Sequence, residues 1–238
     1  GYNFNLSLNQ GNPGQYAGSD TETVGWVALS TGLESTNRWS VAQNLPFQFF
    51  FYGNPVSNFK VSLNGQISFS SPSGIPANAN TNLPSATVPD KSILCFWDEF
   101  IPSGTQTDSS KIWMKVTGNP GNRQLWIKWN HYRIGNPSTT YASFAAVLEE
   151  STYKVYLVDM NHASRNITST IGLQNNSIQA FQFGTNFFGF FSTTDGPGTA
   201  DNDYYEFTPQ QTDDAGILSI DTPSNPFGSG LNPVVVTL

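Results

Sequence analysis

One dipeptide with its flanks restricts this chain more than any other feature. In "VSLNGQISFS" (61–70), Asn64-Gly65 lies between two short runs of alternating apolar and polar residues, which signals a β-hairpin. A two-residue loop would set Phe59 and Val61 beside Ser70 and Ser68, mixing apolar and polar side chains on each face. A three-residue loop, Leu63-Asn64-Gly65, instead pairs Ser62 with Gln66, Val61 with Ile67 and Phe59 with Phe69. All four apolar side chains then share one face, and Gly65 takes the left-handed position of a bulged turn. Upstream, Phe47, Phe49 and Phe51 alternate with Gln48, Phe50 and Tyr52, so a further strand precedes the hairpin, with Pro46 placed at its start.

The same period of two recurs along the chain. "YNFNLSL" (2–8), "VGWVAL" (24–29), "SILCFW" (92–97), "KIWMKV" (111–116) and "RQLWIKWNHYRI" (123–134) read as strands. "YASFAAVLEE" with "YKVYLVDM", and "STIGLQN" with "IQAFQFG", read as two more hairpins. Between them, "SGIPANANTNLPSATVPDK" (73–91) reads as a loop too polar for a core. Helical periodicity is almost absent. Many short strands separated by turn residues imply an all-β fold, an antiparallel β sandwich or jelly roll. Trp126 and Trp129 fall on opposite strand faces, so a sheet covered on one side would bury only one of them.

Residues 1–212 are expected to form the sandwich, and 213–238 a linker and terminal strand. The ending "PVVVTL" puts Val234, Val235 and Val236 on an apolar strand with no following turn or partner strand evident in the sequence. Two readings stand side by side. In one the strand runs into a neighbouring module or pairs with another molecule; in the other it is a last strand tucked into this domain.

Composition narrows the function classes. The 238 residues carry 11% charged side chains, 14% aromatics and one cysteine. Such a surface, polar but sparsely charged, is common among extracellular β proteins. Residues 1–165 are electrically neutral, whereas 166–238 hold seven acidic residues and no Lys or Arg, which accounts for the net charge of −7. A chain without clustered cations is disfavoured for nucleic acid and for anionic membranes. No apolar run approaches the length of a membrane-spanning helix. Cys95, in an apolar strand, is expected to be a small buried side chain.

Four stretches carry candidate chemistry. Asp98-Glu99 and Glu149-Glu150 could supply a carboxylate pair only if one of each met across a cleft, at about 5–5.5 or 6.5–9.5 Å; otherwise they are hydrogen-bonding acids at strand ends. His131 and His162 are the only histidines, 31 residues apart, and no nucleophile elbow occurs. "STTDGPGTADNDYYEF" (192–207) sets Asp195, Asp201 and Asp203 in an acidic, glycine-rich loop, the oxygen-ligand pattern that calcium takes, though not an EF-hand. Finally, Trp26, Trp39, Trp113, Trp126, Trp129 and "NFFGFF", with abundant Asn and Gln, could furnish a sugar-binding surface.

Several segments occur in a familiar order: "LPFQFFFYG", "VSLNGQISFS", "FWDEF", "RQLWIKWNHY", "FAAVLEESTYKVYLV" and "TIGLQNNS". Together they resemble a family of secreted β-sandwich modules found in multidomain surface proteins of bacteria that use the type IX secretion route. The tail resembles the start of the immunoglobulin-like repeats that follow such modules. Glu99 departs from the pattern, which often has aspartate there. The resemblance implies an extracellular sandwich in adhesion, surface architecture or an accessory role beside an enzyme, and it brings no catalytic residues. The expectation is therefore a non-catalytic secreted surface module for adhesion or fibre and stalk assembly. Its partners would be neighbouring modules or other copies through the terminal strands, and surface glycans. The alternative is a carbohydrate-binding accessory domain of a secreted hydrolase.

Overall fold

The Asn-Gly hairpin forms in the register that the alternation requires. Val61 pairs with Ile67 and Lys60 with Ser68, and Ser62 donates its N–H to the Gln66 carbonyl at 2.8 Å. Gly65 has φ +77°, and Phe59, Val61, Ile67 and Phe69 are all buried in one core. Each such side chain contributes roughly 1.5–3 kcal/mol when fully removed from water. This computed structural model describes residues 1–8, 10–14, 16, 18, 20, 22–29, 37–102, 111–134, 141–162, 169–183, 202–210, 219–222 and 235–237.

In chain order the strands are β1 (Tyr2–Ser7), β2 (Val27–Ala28), β3 (Gln43–Phe51), β4 (Asn54–Val61), β5 (Gln66–Ser68), β6 (Ser92–Trp97), β7 (Phe100–Ile101) and β8 (Lys111–Thr117). They continue as β9 (Gln124–Ile134), β10 (Tyr141–Glu149), β11 (Val155–His162), β12 (Thr170–Asn176), β13 (Gln179–Gln182), β14 (Asp203–Pro209), β15 (Ser219–Thr222) and β16 (Val235–Thr237). No helix occurs among the described residues. One sheet runs β1-β14-β11-β10-β9-β8-β2, with β7 also on β9; the other runs β13-β12-β6-β5-β4-β3. All pairings are antiparallel, and the fold is an all-β sandwich. Pro46 lies inside β3 rather than at its start, where the β3–β4 register is interrupted between Asn44 and Phe49. The missing N–H is tolerated because β3 is an edge strand.

Between the sheets, Leu125, Ile127, Trp129, Phe144, Ala146 and Leu148 from one side meet the phenylalanines of β3 and β4 from the other. Trp129 stacks on Phe144 at 5.2 Å. Alternation along β9 sends Trp126 the opposite way, yet it too is completely buried. The expectation of a sheet covered on one side is thereby corrected. Tyr16 and Trp26 from the N-terminal segment lie over this outer face and build a second core with Trp126, Val147, Val158 and Met160. Lys128, on the same face, is also fully buried. Its Nζ donates to the carbonyls of Asp20 (3.1 Å) and Glu22 (2.7 Å) and sits 4.4 Å from the Trp26 ring centre.

The outer face of the other sheet is covered as well. Segment 73–91, read from sequence as too polar for a core, packs Val88, Ala77 and Leu83 on Leu94 and Trp97. Its backbone supplies the polar partners that the buried strand side chains need. Ala77 O accepts from Trp97 Nε1 (2.9 Å) and Gln66 Nε2 (3.1 Å), and Val88 O accepts from Gln174 Nε2 (3.0 Å). Irregular chain thus satisfies the sheet's buried amides, as burial demands.

The terminal strands pair within the chain. β1 is paired along its length with β14, from Tyr2↔Pro209 to Ser7↔Tyr204, so it belongs to the sandwich. Val235 and Val236 have a partner strand within the chain: β16 pairs with β15 through Thr222↔Val235, Ile220↔Val236 and Ser219↔Thr237. Val234 lies outside the described residues. This two-stranded sheet is separate from the two large ones.

Candidate functional site: an aromatic cleft at one end of the sandwich

Two turns build the site. The first joins β3 to β4 through Tyr52-Gly53, with Phe51 paired to Asn54. Both central residues have positive φ, 50° and 77°, the signature of a type I′ turn, in which Asn-Gly is usual and tyrosine is not. Tyr52 is held there by its side chain. Its ring meets Tyr2 edge-on at 4.9 Å, and its hydroxyl donates to Leu173 O at 3.2 Å. Burial pushes this phenol up to about 12.

The second is the turn between β10 and β11, residues 150–154. Ser151 and Tyr153 again have positive φ, 71° and 56°. Glu150 anchors it: its carboxylate accepts from the N–H groups of Gly121 (2.9 Å) and Arg123 (3.1 Å), and from Arg123 Nε (2.8 Å) and Nη2 (2.6 Å). The Arg123 guanidinium, with those amides, holds the Glu150 carboxyl down at about 2. Glu149 accepts from Gln124 Nε2 (2.8 Å), Thr152 Oγ1 (2.7 Å) and the Tyr156 hydroxyl (3.3 Å). Both acids are fasteners of the turn.

Between the two turns opens a cleft of about 910 Å³, within the range of small-molecule sites. Phe50 and Tyr153 form an aromatic wall, their ring centres 5.0 Å apart. Ser151, Thr152, Thr208 and Gln210 add polar groups. Lys154 also lines it, but its Nζ is taken by Glu206 Oε1 at 2.8 Å, so the lining side chains bring no net charge. This cleft is not among the sites expected from the sequence, because the alternation of 47–52 reads as strand through Tyr52. The available signal was Gly53, two residues beyond the phenylalanine run that ends at Phe51.

The other candidates fall elsewhere. Asp98 and Glu99 precede β7, which pairs with the C-terminal end of β9 at Ile134, whereas Glu149 pairs with Gln124 at its beginning. Eleven residues of strand set the two acidic pairs on the order of 30 Å apart, so they form no joint site. Glu99 instead accepts from Asn78 Nδ2 (3.2 Å). His131 sits at a β9 bulge (φ 58°) and stacks flat on Tyr141 at 4.2 Å; burial lowers its pKa. His162 is buried with its Nδ1 2.9 Å from Asp159 Oδ1, a pairing not read from sequence. Cys95 is buried, and burial drives its thiol pKa upward.

Of the calcium candidates, Asp195 and Asp201 lie outside the described residues. Asp203 opens β14 opposite Asp159 of β11, and both side chains are buried. The phase of β14 puts Asp203 on the face of Tyr205 and Phe207, which enter the main core. Among the described residues no three His, Cys, Asp or Glu side chains come together to hold a metal. The "NFFGFF" segment is likewise outside the described residues, while Trp26, Trp126 and Trp129 fill cores.

A family model described as NIDO related matches residues 11–209. That span takes in both turns of the cleft and both large sheets except β1. No curated protein and no solved structure matches the chain. With most of its length accounted for by that one model, the chain belongs to the NIDO-related family.

Proposed function

We propose that this chain is a non-catalytic extracellular module that adheres, with the end cleft holding a partner. The observation carrying this reading is the use of Glu149 and Glu150. The acids beside the cleft are committed to fastening its turn, and the wall they support is aromatic and neutral. A surface poor in charge supports an extracellular place. An impermeant protease applied to intact producing cells tests the location, and loss of the protein is expected. Protection until lysis would overturn the assignment. Beads coated with the chain are expected to adhere to such cells, and equal adhesion by albumin-coated beads would remove the adhesive role.

Assembly into fibres or stalks is a second reading, favoured by the separate β15–β16 sheet. A two-stranded sheet keeps open edges that another strand can join. Deleting residues 231–238 should abolish polymers seen by electron microscopy, and undiminished polymers would exclude this route. Calcium belongs to the proposal through Asp195 and Asp201; chelation should then lower the melting temperature, and an unchanged value would delete the ion. As a carbohydrate-binding accessory domain of a secreted hydrolase, the chain would use the same cleft.

A further inference from the structure

We infer that the cleft between the Tyr52-Gly53 turn and the 150–154 turn is a subsite for a neutral saccharide; this rests on the reading of the chain as a binding module. Two features point to that ligand class, and a third marks the cleft as a recognition site. The first is chemistry. Phe50 and Tyr153 present ring surface to the apolar C–H face of a sugar. The Tyr153 hydroxyl has no hydrogen-bond partner among the described residues and remains available as donor and acceptor. Ser151 and Thr152 each spend their proton on the protein, on Gly121 O and Glu149 Oε1 (both 2.7 Å). Ser151 Oγ is left to accept from ligand hydroxyls, and Thr152 Oγ1, which takes a long 3.4 Å bond from the Lys154 N–H, keeps one further acceptor position. The second is charge. With Lys154 neutralised by Glu206, the lining side chains offer an anionic sugar no uncompensated cation; the other positive group at the cleft is the α-amine of Gly1.

The third is backbone conformation. Tyr52, Ser151 and Tyr153 all hold the left-handed region, which costs an L-residue about 1–2 kcal/mol relative to the right-handed one. Glycine would hold it without that cost. Strained positions of this kind gather where a side chain is needed for recognition, and these three line one cleft.

The test is calorimetric titration of the whole chain with cellohexaose, maltohexaose, laminarihexaose and chitohexaose, and with a galacturonic acid oligomer as the acidic control. At least one neutral oligosaccharide is expected to bind with a Kd of 1 mM or tighter. Tyr153→Ala should weaken it at least tenfold. Thr152→Ala, at an exposed turn position and with folding checked by its urea midpoint, should weaken it about threefold. Thr152→Ser should restore it. No binding by any neutral oligosaccharide at 10 mM would overturn the inference, as would binding that neither variant changes or that only the acidic oligomer shows. If the panel fails while coated beads still adhere, the saccharide falls and the module reading stands. A chain protected from protease until lysis removes the module reading itself.

Discussion

Two hairpin turns of the six-stranded sheet, β3–β4 and β4–β5, make opposite use of the same dipeptide position. At Leu63-Asn64-Gly65 the turn is buried. Asn64 Nδ2 donates to Asn37 Oδ1 (2.9 Å), its Oδ1 accepts from the Phe100 N–H (3.4 Å), and Gly65 O accepts from the Cys95 N–H (2.8 Å). A Cβ on Gly65 would lie 2.3 Å from Cys95 O. At Tyr52-Gly53 the turn is open, and a Cβ on Gly53 meets nothing within 4 Å. Usual turn chemistry marks the position where the turn serves the core. Unusual chemistry, a tyrosine at φ 50°, marks the position where it borders a cleft.

Substitutions can break this contrast. The largest effect is expected for Gly65→Ala, where a backbone clash adds to left-handed strain. Urea unfolding should show a loss of about 3 kcal/mol or more. Gly53→Ala carries the conformational cost alone, about 1–2 kcal/mol. Equal losses at the two glycines would mean that the open turn is packed after all. Asn64→Ala comes next, costing about 1–3 kcal/mol because it leaves the buried Phe100 N–H without its acceptor.

Titration sharpens the comparison further. Burial raises the Tyr52 phenol from its ordinary 10.0 to about 12 in the folded chain. Its contribution to stability is therefore fully present below pH 10 and is lost as pH rises from 10 toward 12. Denaturant midpoints measured over that window should fall less steeply in Tyr52→Phe than in the parent. Glu150 has the opposite sign. Its folded pKa, about 2, lies below 4.5, so its stabilisation is present above pH 4.5 and is lost as pH falls toward 2. Glu150→Gln should flatten that acid limb. The smallest effect is expected for Ser151→Gly, which relieves φ 71° but forfeits the 2.7 Å bond to Gly121 O. A change within about 0.5 kcal/mol in either direction is expected by urea unfolding; a loss above 1 kcal/mol would show the Ser151 hydroxyl to be a fastener equal to Glu150.

Much of the sandwich was legible because strand periodicity is a local property. The alternation of Leu125, Ile127 and Trp129 against Trp126 and Lys128 separated the two faces of β9 without coordinates. What covers each face was not legible. Trp126 is buried by Tyr16 and Trp26 from about a hundred residues away, and Leu94 and Trp97 by a segment whose prolines and asparagines look solvent-bound. That segment covers core through Ala77, Leu83 and Val88, and its backbone carbonyls, which every residue carries, do the bonding. The acidic pairs illustrate the same divide. Adjacent carboxylates were visible in the sequence, but Arg123 and the Gly121 amide, which consume Glu150, meet it only across strands.

By itself, then, the sequence determined the strand period, the Val61–Ile67 register and the left-handed glycine at 65. Each follows from side-chain alternation and turn sterics within a few residues. Tertiary structure alone decided which polar segments became cover, which acids became fasteners and where two turns left a cleft. Those outcomes depend on hydrogen bonds and packing between residues far apart in the chain, for which neighbouring residues carry no signal.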